Sequence, residues 1–435
     1  MPSSVSIALN TAWAALHTLQ YGFGISAFNG IQDVVTCRRH GRPHGETGWL
    51  SSCVPLTSTQ FGLIVAIFTL GGLVGALTTD IWSKRLGRVG TLRLSAALVL
   101  AGSVVTGLAS SYLLLLVGRI VIGFGCGLST VLVPLYLSEI APTSMKKSLG
   151  IANQFFIVVG ILIGQSLSLP LGQPMKWRWV FTVAVGIAAV QLVGSFFVPA
   201  KSGMDEREEE EETEEGRPLL PRDNEGEGAM SIRELVMSKD SVVRRGFLLV
   251  IVTQLVQQLC GISPVMYFST RILTPVFQSN SKYIALGIVM LKLPITVVPA
   301  FLIERLGSRP ILLFSALAMS LSSLLLAIGL NAPSQPLSIF SILTFVAAFS
   351  LGLGPVTWVV LPEVMPKRAV TAAGSVGLAL NWSLNFSLGA SFLPVQHWLA
   401  GLTHNGEGNI FYVFAVFCAV GAAGISVCYR LKDSV

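Results

Sequence analysis

Twelve runs of about twenty mostly apolar residues, joined by short polar connections, constrain what this chain can fold into more than any other feature. They fall at roughly 7–29, 61–81, 92–110, 112–137, 150–170, 178–199, 245–270, 283–303, 310–330, 337–361, 372–396 and 409–430. A helix needs about 20 apolar residues to cross the ~30 Å hydrocarbon core of a bilayer, so each run predicts one spanning helix. Only 12% of the 435 residues are charged, about half the share found in soluble domains. The fold class predicted is an all-α membrane protein with twelve transmembrane helices. The first run has no basic leading region and no small-residue cleavage site, so it reads as a span and not as a removable signal peptide.

The net charge of +7 hides two opposite distributions. Residues 201–240 hold fourteen acidic side chains, including Glu208 to Glu212 in an unbroken run. A segment this polar cannot bury enough apolar surface to fold and reads as disordered. It divides the chain into a six-helix half (1–200), an acidic cytoplasmic linker (201–243) and a second six-helix half (244–435). Outside the linker, fourteen Lys and Arg fall in connections on the side of Met1 and seven on the other. The positive-inside rule then places both termini in the cytoplasm. Scattered over short connections, this basic excess argues against a nucleic-acid partner. Within the linker, Glu215 precedes Leu219-Leu220 by four residues, the form of an acidic dileucine sorting signal. That pattern predicts a sorting adaptor as partner, and a vacuolar or lysosomal membrane ahead of the cell surface.

The two halves echo each other. Arg85-Leu86-Gly87 follows span 2 and Arg305-Leu306-Gly307 follows span 8, an offset of 220; Glu139 and Glu363 end spans 4 and 10, an offset of 224. Paired features at a common offset predict duplicated six-helix units, which in transporters rock about a site near the midplane. The charges at these helix ends, Arg85, Arg88, Arg309 and Arg368 beside Glu139, Glu304 and Glu363, predict a cytoplasmic gate of ion pairs. Each exposed pair is worth only ~0–1 kcal/mol, but two conformations need differ by only a few kcal/mol. The plainer alternative is that these residues only set topology.

Six cysteines show no metal-ligand spacing. Cys126, Cys260, Cys418 and Cys428 lie in apolar runs, where a small buried hydrophobe is the default. Cys37 and Cys53 share the first non-cytoplasmic loop and can pair there. No nucleophile–base arrangement, phosphate loop or cofactor motif is present, so neither enzyme nor cofactor is expected.

At its motifs the chain resembles the sugar porter branch of the major facilitator superfamily, and is especially similar to the facilitative glucose transporters. The residues that carry the likeness are Leu19-Gln20-Tyr21-Gly22-Phe23, Gly71-Gly72-Leu73-Val74-Gly75, Gly118-Arg119, Val133 to Thr143, Gln257 to Ile262, Gly354 to Trp358, and Asn381-Trp382. The resemblance implies transport by alternating access, with a sugar-sized cavity lined by Gln154, Ile157, Gln165, Gln257, Gln258, Trp358 and Asn381. Amide side chains both donate and accept, as hexose hydroxyls require. The alternative is that these glutamines only bond neighbouring helices.

Departures from the family pattern narrow the reading. Ser263 stands where an Asn is usual, Ser350 where a Glu is usual, and Gly24 where proton-coupled members carry Asp; the last weakens proton symport by that route. Lys292 replaces a substrate-contacting Asn in span 8. A charge at the bilayer centre costs ~2.5–3.5 kcal/mol on the lenient insertion scale, so Lys292 is expected to face the central cavity, compensated by water, an anionic solute or loss of its proton. The sequence therefore reads as a facilitative carrier of a sugar, a hexose or related polyol. Its rivals are a carrier of an anionic sugar-like solute and a non-transporting sensor or trafficking protein on the same scaffold.

Overall fold

The computed structural model describes residues 4–37, 50–140, 146–198, 230–403 and 406–433; within these, the side chains of 4–8, 138–140, 146–152, 300, 304, 367 and 433 are outside the description. Among the described residues, helices occur at all twelve expected places and no strand is present. Spans 1, 4, 5, 6, 9, 11 and 12 are single helices: Ser4–Ser26, Tyr112–Ile140, Lys146–Leu171, Arg178–Gly194, Ser308–Asn331, Lys367–Ala400 and Asn409–Asp433. Spans 2 and 3 are the two arms of Ser58–Leu108, turned at Gly87. Spans 7, 8 and 10 are each broken: Ser241–Leu259 with Ile262–Phe277, Ser281–Ile295 with Val298–Leu306, and Gln335–Leu351 with Val356–Val364. We call the membrane face that carries Cys37 outer and the face that carries Gly87 inner.

The repeat seen in sequence has a backbone counterpart. Gly87 (φ 68°, ψ 174°) and Gly307 (φ 75°, ψ 170°) adopt nearly the same conformation at corresponding inner turns. That region of backbone space is essentially open to glycine alone, which is why the Arg-Leu-Gly turn recurs with its glycine.

Lipid offers no hydrophobic drive for helices to associate, so small residues and side-chain hydrogen bonds must supply close packing. In the first half, Gly71 and Gly75 of span 2 lie against the Ile120 and Phe124 backbone, while Gly123 and Gly127 of span 4 lie against Phe68 and Gly72. A Cβ at any of the four would strike a neighbouring carbonyl. Ser95 Oγ donates to Gly125 O (2.7 Å), tying span 3 to span 4. In the second half, Ser315 Oγ donates to Ala348 O (2.7 Å) and accepts from Leu353 N–H (3.0 Å), so one hydroxyl joins span 9 to the first arm of span 10 and to the break that follows it.

Two findings differ from expectation or resolve it. The end of the acidic segment is ordered: Ile232–Met237 is a helix with a capping box between Ser231 and Glu234. Met230 N–H donates to Arg368 O (2.9 Å). Leu235, the one apolar anchor in this stretch that becomes buried, explains why composition alone misassigns it. The Ser231 backbone N–H, donating to Glu234, holds that carboxyl below its usual range. Cys37 and Cys53 form a disulfide with Cα atoms 5.3 Å apart. Cys126, Cys260, Cys418 and Cys428 are free and buried.

The disulfide closes a loop of sixteen residues, and chain-entropy arguments give about 3 kcal/mol for a loop of this size. Cys53→Ser is expected to lower the thermal unfolding midpoint of the purified protein in detergent, and a reducing agent to lower it equally in the wild type. Identical melting with and without the bond would contradict this.

Candidate functional site

The polar centre of the molecule is built from two helix breaks. Span 7 stops at Cys260 because Gly261 takes φ +88°, and a Cβ there would fall on the Phe414 ring. Span 10 stops at Gly352 (φ −134°, ψ −85°), which leaves nearby carbonyls without helical donors. Such groups need partners inside a membrane. Gln257 supplies them: its Nε2 donates to Leu353 O (2.9 Å) and Gly354 O (2.8 Å). Its Oε1 accepts from Asn381 Nδ2 (2.7 Å), which also donates to Gln254 Oε1 (2.9 Å). Gln258 Oε1 accepts from Ser263 Oγ (2.8 Å) across the span 7 break, and Tyr267 Oη donates to Asn385 Oδ1 (2.8 Å).

This bookkeeping separates the predicted residues by what they have left to offer. Gln257 is spent on neighbouring helices. Gln258 Nε2, Asn381 Oδ1 and Asn385 Nδ2 have no partner among the described residues. Gln165 in span 5 is buried with both amide atoms unpartnered, a costly state unless water or a ligand completes it. Ile157 packs on the cluster of Val158, Ile161 and Val289, where span 5 meets span 8. Gln154 and Trp358 are exposed, Trp358 at 39%. Ser350 Oγ turns back to Val346 O (2.8 Å). Gln254, Asn385 and Tyr267 join this network although no motif singled them out.

On the outer face the halves are closed against each other. Phe268 (φ −127°, ψ 18°) kinks the second arm of span 7, separating Thr270 N–H from Met266 C=O, its ordinary helical acceptor. Asn29, at the outer end of span 1, inserts between them. Its Nδ2 donates to Met266 O (3.1 Å) and Ser269 Oγ (2.7 Å), and its Oδ1 accepts from Thr270 N–H (3.2 Å). Phe61 meets Phe268 at 6.5 Å between centroids, Trp382 of span 11 covers Gly72 of span 2, and Tyr21 lies 5.8 Å from Trp382. Outside this closure is a cavity of about 250 Å³ bordered by Asn29, Asp33, Arg271, Gln396 and Glu407.

Three cations lie buried in the spans among the described residues. Arg178, at the outer end of span 6, donates to Gly107 O, Ala109 O and Ser51 O. Arg119 and Lys292 lie deeper, with different surroundings. Arg119 donates to Gly24 O (2.9 Å), Ile64 O (3.3 Å) and Val65 O (3.3 Å), and its guanidinium lies 4.5 Å from the Phe68 ring and 5.3 Å from the Phe28 ring. It is a completed brace between spans 1, 2 and 4. Lys292 is 6% exposed and meets only the Met266 sulfur (4.0 Å) and the Phe349 ring (5.7 Å). No oxygen acceptor among the described residues reaches its ammonium.

The expected gate residues are only partly brought together. Glu139 and Glu304 lie outside the described side chains. Arg85 is exposed and Arg88 half-buried. Arg309 lies 5.7 Å from the Tyr429 ring, and Glu363 accepts from Ser308 Oγ (2.6 Å). Arg368 pairs with Asp240 (3.1 Å), which caps span 7 through Val242 N–H (2.9 Å). Neither Lys84–Asp80 nor Arg368–Asp240 joins the two halves.

Twelve spans in two like halves, with unpaired amides on spans 5, 7 and 11, define a multi-pass membrane carrier of the major facilitator fold. The family model for sugar (and other) transporters matches residues 10–431, and the chain belongs to that family. It is 32% identical to the human facilitated glucose transporter member 4, over 93% of this chain and 84% of the relative. It is also 26% identical to vacuolar protein sorting-associated protein 73 of Saccharomyces cerevisiae, over 94% and 90%. A D-xylose-proton symporter shares the fold with a TM-score of 0.76 at 22% identity, covering 96% of this chain and 97% of its own.

If Gln257 satisfies the span 10 break, Gln257→Ala orphans the buried Leu353 carbonyl and the part-buried Gly354 carbonyl, at ~1–3 kcal/mol for an unsatisfied buried group. Its unfolding midpoint in detergent, without added solute, should drop clearly, whereas the exposed Gln154→Ala should melt like wild type. Equal melting of the two variants would remove this role.

Proposed function

We propose that the chain carries a sugar or related polyol by alternating access, downhill and without proton coupling. Its halves, 1–200 and 244–435, rock about a site formed by Gln165, Gln258, Asn381 and Asn385. The observation that carries this reading is the set of amide atoms left unpartnered after the helix breaks have been satisfied. Amides of both polarities, held between closed outer contacts and exposed Gln154 and Trp358, suit a ring with several hydroxyls and one apolar face. In this reading the passage opens to the inner side, and exposed Trp358 and Gln154 lie along it. The human relative is a facilitated glucose transporter by name, which supports the solute and the downhill mode. Gly24 offers only its carbonyl, to Arg119, and so no titratable group at that position.

The inner face is the cytoplasm in this reading, as the fourteen-to-seven basic bias requires. The gate on that face is formed by Arg85, Arg88, Glu139, Glu304, Arg309, Glu363 and Arg368. The compartment is the vacuolar or lysosomal membrane, supported by Leu219-Leu220 and by the name of the yeast relative. Leu219-Leu220 lies outside the described residues.

Counterflow of labelled glucose into proteoliposomes tests the function. Gln258→Ala and Trp358→Ala should each lower exchange several-fold, the scale of one lost bond to a polar solute, ~0.5–1.5 kcal/mol. Wild-type exchange in both would sink the site, and no exchange of any sugar by the wild type would leave the sensor reading. For location, a tagged Leu219→Ala, Leu220→Ala double variant should move to the cell surface; an unchanged distribution removes the sorting argument.

A further inference from the structure

We propose that the solute bound at this site carries a carboxylate, and that Lys292 is the group that receives it. The inference rests on the carrier reading above and names the solute class: a sugar acid of hexose size rather than a neutral hexose.

Of the three buried cations, Arg178 and Arg119 donate to backbone carbonyls and Lys292 does not. Arg119 is satisfied by three backbone carbonyls and two aromatic faces, so it needs no anion. Lys292 has three N–H donors and meets only a thioether sulfur and the edge of the range for an aromatic ring. The described acids, Asp33, Asp80, Glu234, Asp240, Glu363 and Glu407, lie at helix ends or in connections and make no contact with it. Ser350, one residue beyond Phe349, contributes only a hydroxyl turned to its own helix. A buried ammonium with unused donors and no counter-charge is completed by an anion.

Placement argues that the anion is the solute. Val289, one turn before Lys292, packs on Val158 and Ile161 of span 5, so this face of span 8 looks across the boundary between the halves. Met266, which the ammonium touches, is also the residue whose carbonyl Asn29 holds from span 1. Lys292 therefore sits at the closed outer floor of the passage, beside the contact that must break when the outer side opens. The unpartnered amides of Gln258, Asn381 and Asn385 arise from the facing spans 7 and 11 and are left for hydroxyls.

One ammonium matches a single carboxylate. A phosphate monoester brings nearly two charges, and no second cation shares the Lys292 surroundings among the described residues. A charge-assisted bond is roughly twice as strong as a neutral one, so the preference should be large.

The test is counterflow in proteoliposomes with D-glucuronate and D-glucose, for the wild type, Lys292→Arg and Lys292→Gln. The wild type should exchange glucuronate in preference to glucose. Lys292→Gln should shift the glucuronate-to-glucose ratio at least tenfold toward glucose, and Lys292→Arg should keep the acid preference. Glucuronate should also raise the melting temperature of the wild type in detergent more than that of Lys292→Gln, a readout independent of transport. Exchange of glucose without glucuronate by the wild type overturns this inference and leaves the carrier reading intact. An unchanged ratio in Lys292→Gln also overturns it. Exchange of neither solute, with no stabilisation by either, overturns the inference and the sugar-carrier reading together.

Discussion

Asn29 placed inside the hydrogen-bond ladder of span 7 is the contact on which the conformation of this protein turns. The kink at Phe268 leaves a donor and an acceptor that lipid cannot satisfy, and one amide from the opposite half satisfies both. An unpartnered buried group of either kind costs ~1–3 kcal/mol. The outer side therefore stays closed while Asn29 is engaged, and opening must supply those groups with water or with one another. A helix kink by itself would be a local defect. Filled by a side chain from the other half, it becomes a joint whose strength is comparable to the few kcal/mol that separate two states of a carrier.

The same constraint, that backbone and charge must be satisfied without bulk water, organises the centre. Breaks in spans 7 and 10 bring polar backbone to the middle of the bilayer, where it is tolerated only if protein or a water-filled cavity completes it. Gln257 completes one break and Asn381 locks Gln257 in place. The groups that remain are those a solute can use. Binding and architecture thus draw on one pool of amides, and assigning each amide to one task or the other depends on hydrogen-bond partners. Lys292 follows the same logic with a charge in place of an amide.

Much of this architecture was legible in the residues. Apolar length marked all twelve spans, and the Arg-Leu-Gly repeat located the inner turns because only glycine adopts the backbone those turns use. The span 7 break could be read from Gly261, and Lys292 from the cost of its charge. Asn29 could not. A polar residue at the end of a span looks like any loop residue, and the kink it fills lies at Phe268, with neither glycine nor proline at the kinked position. Gln257 was legible as polar and buried, but which of its two uses prevails depends on where Leu353 and Gly354 fall in three dimensions. The pairing of Arg368 with Asp240 was not legible for a similar reason: the two are distant in sequence and adjacent in space. Composition placed residues 230–243 in the linker because two buried apolar side chains, Leu235 and Val243, and two caps leave almost no statistical trace.

The central claim, that the Asn29 joint holds the outer side shut, is tested most directly by the distance between spin labels on the two halves. Exposed Ser111 and Ala332, in outer connections of the first and second half, suit this purpose as Ser111→Cys and Ala332→Cys, since the four free native cysteines are buried. In proteoliposomes the account predicts a short, dominant distance for this pair, and a shift of much of the population to a longer distance when Asn29→Ala is added. A distance distribution unchanged by Asn29→Ala would contradict it.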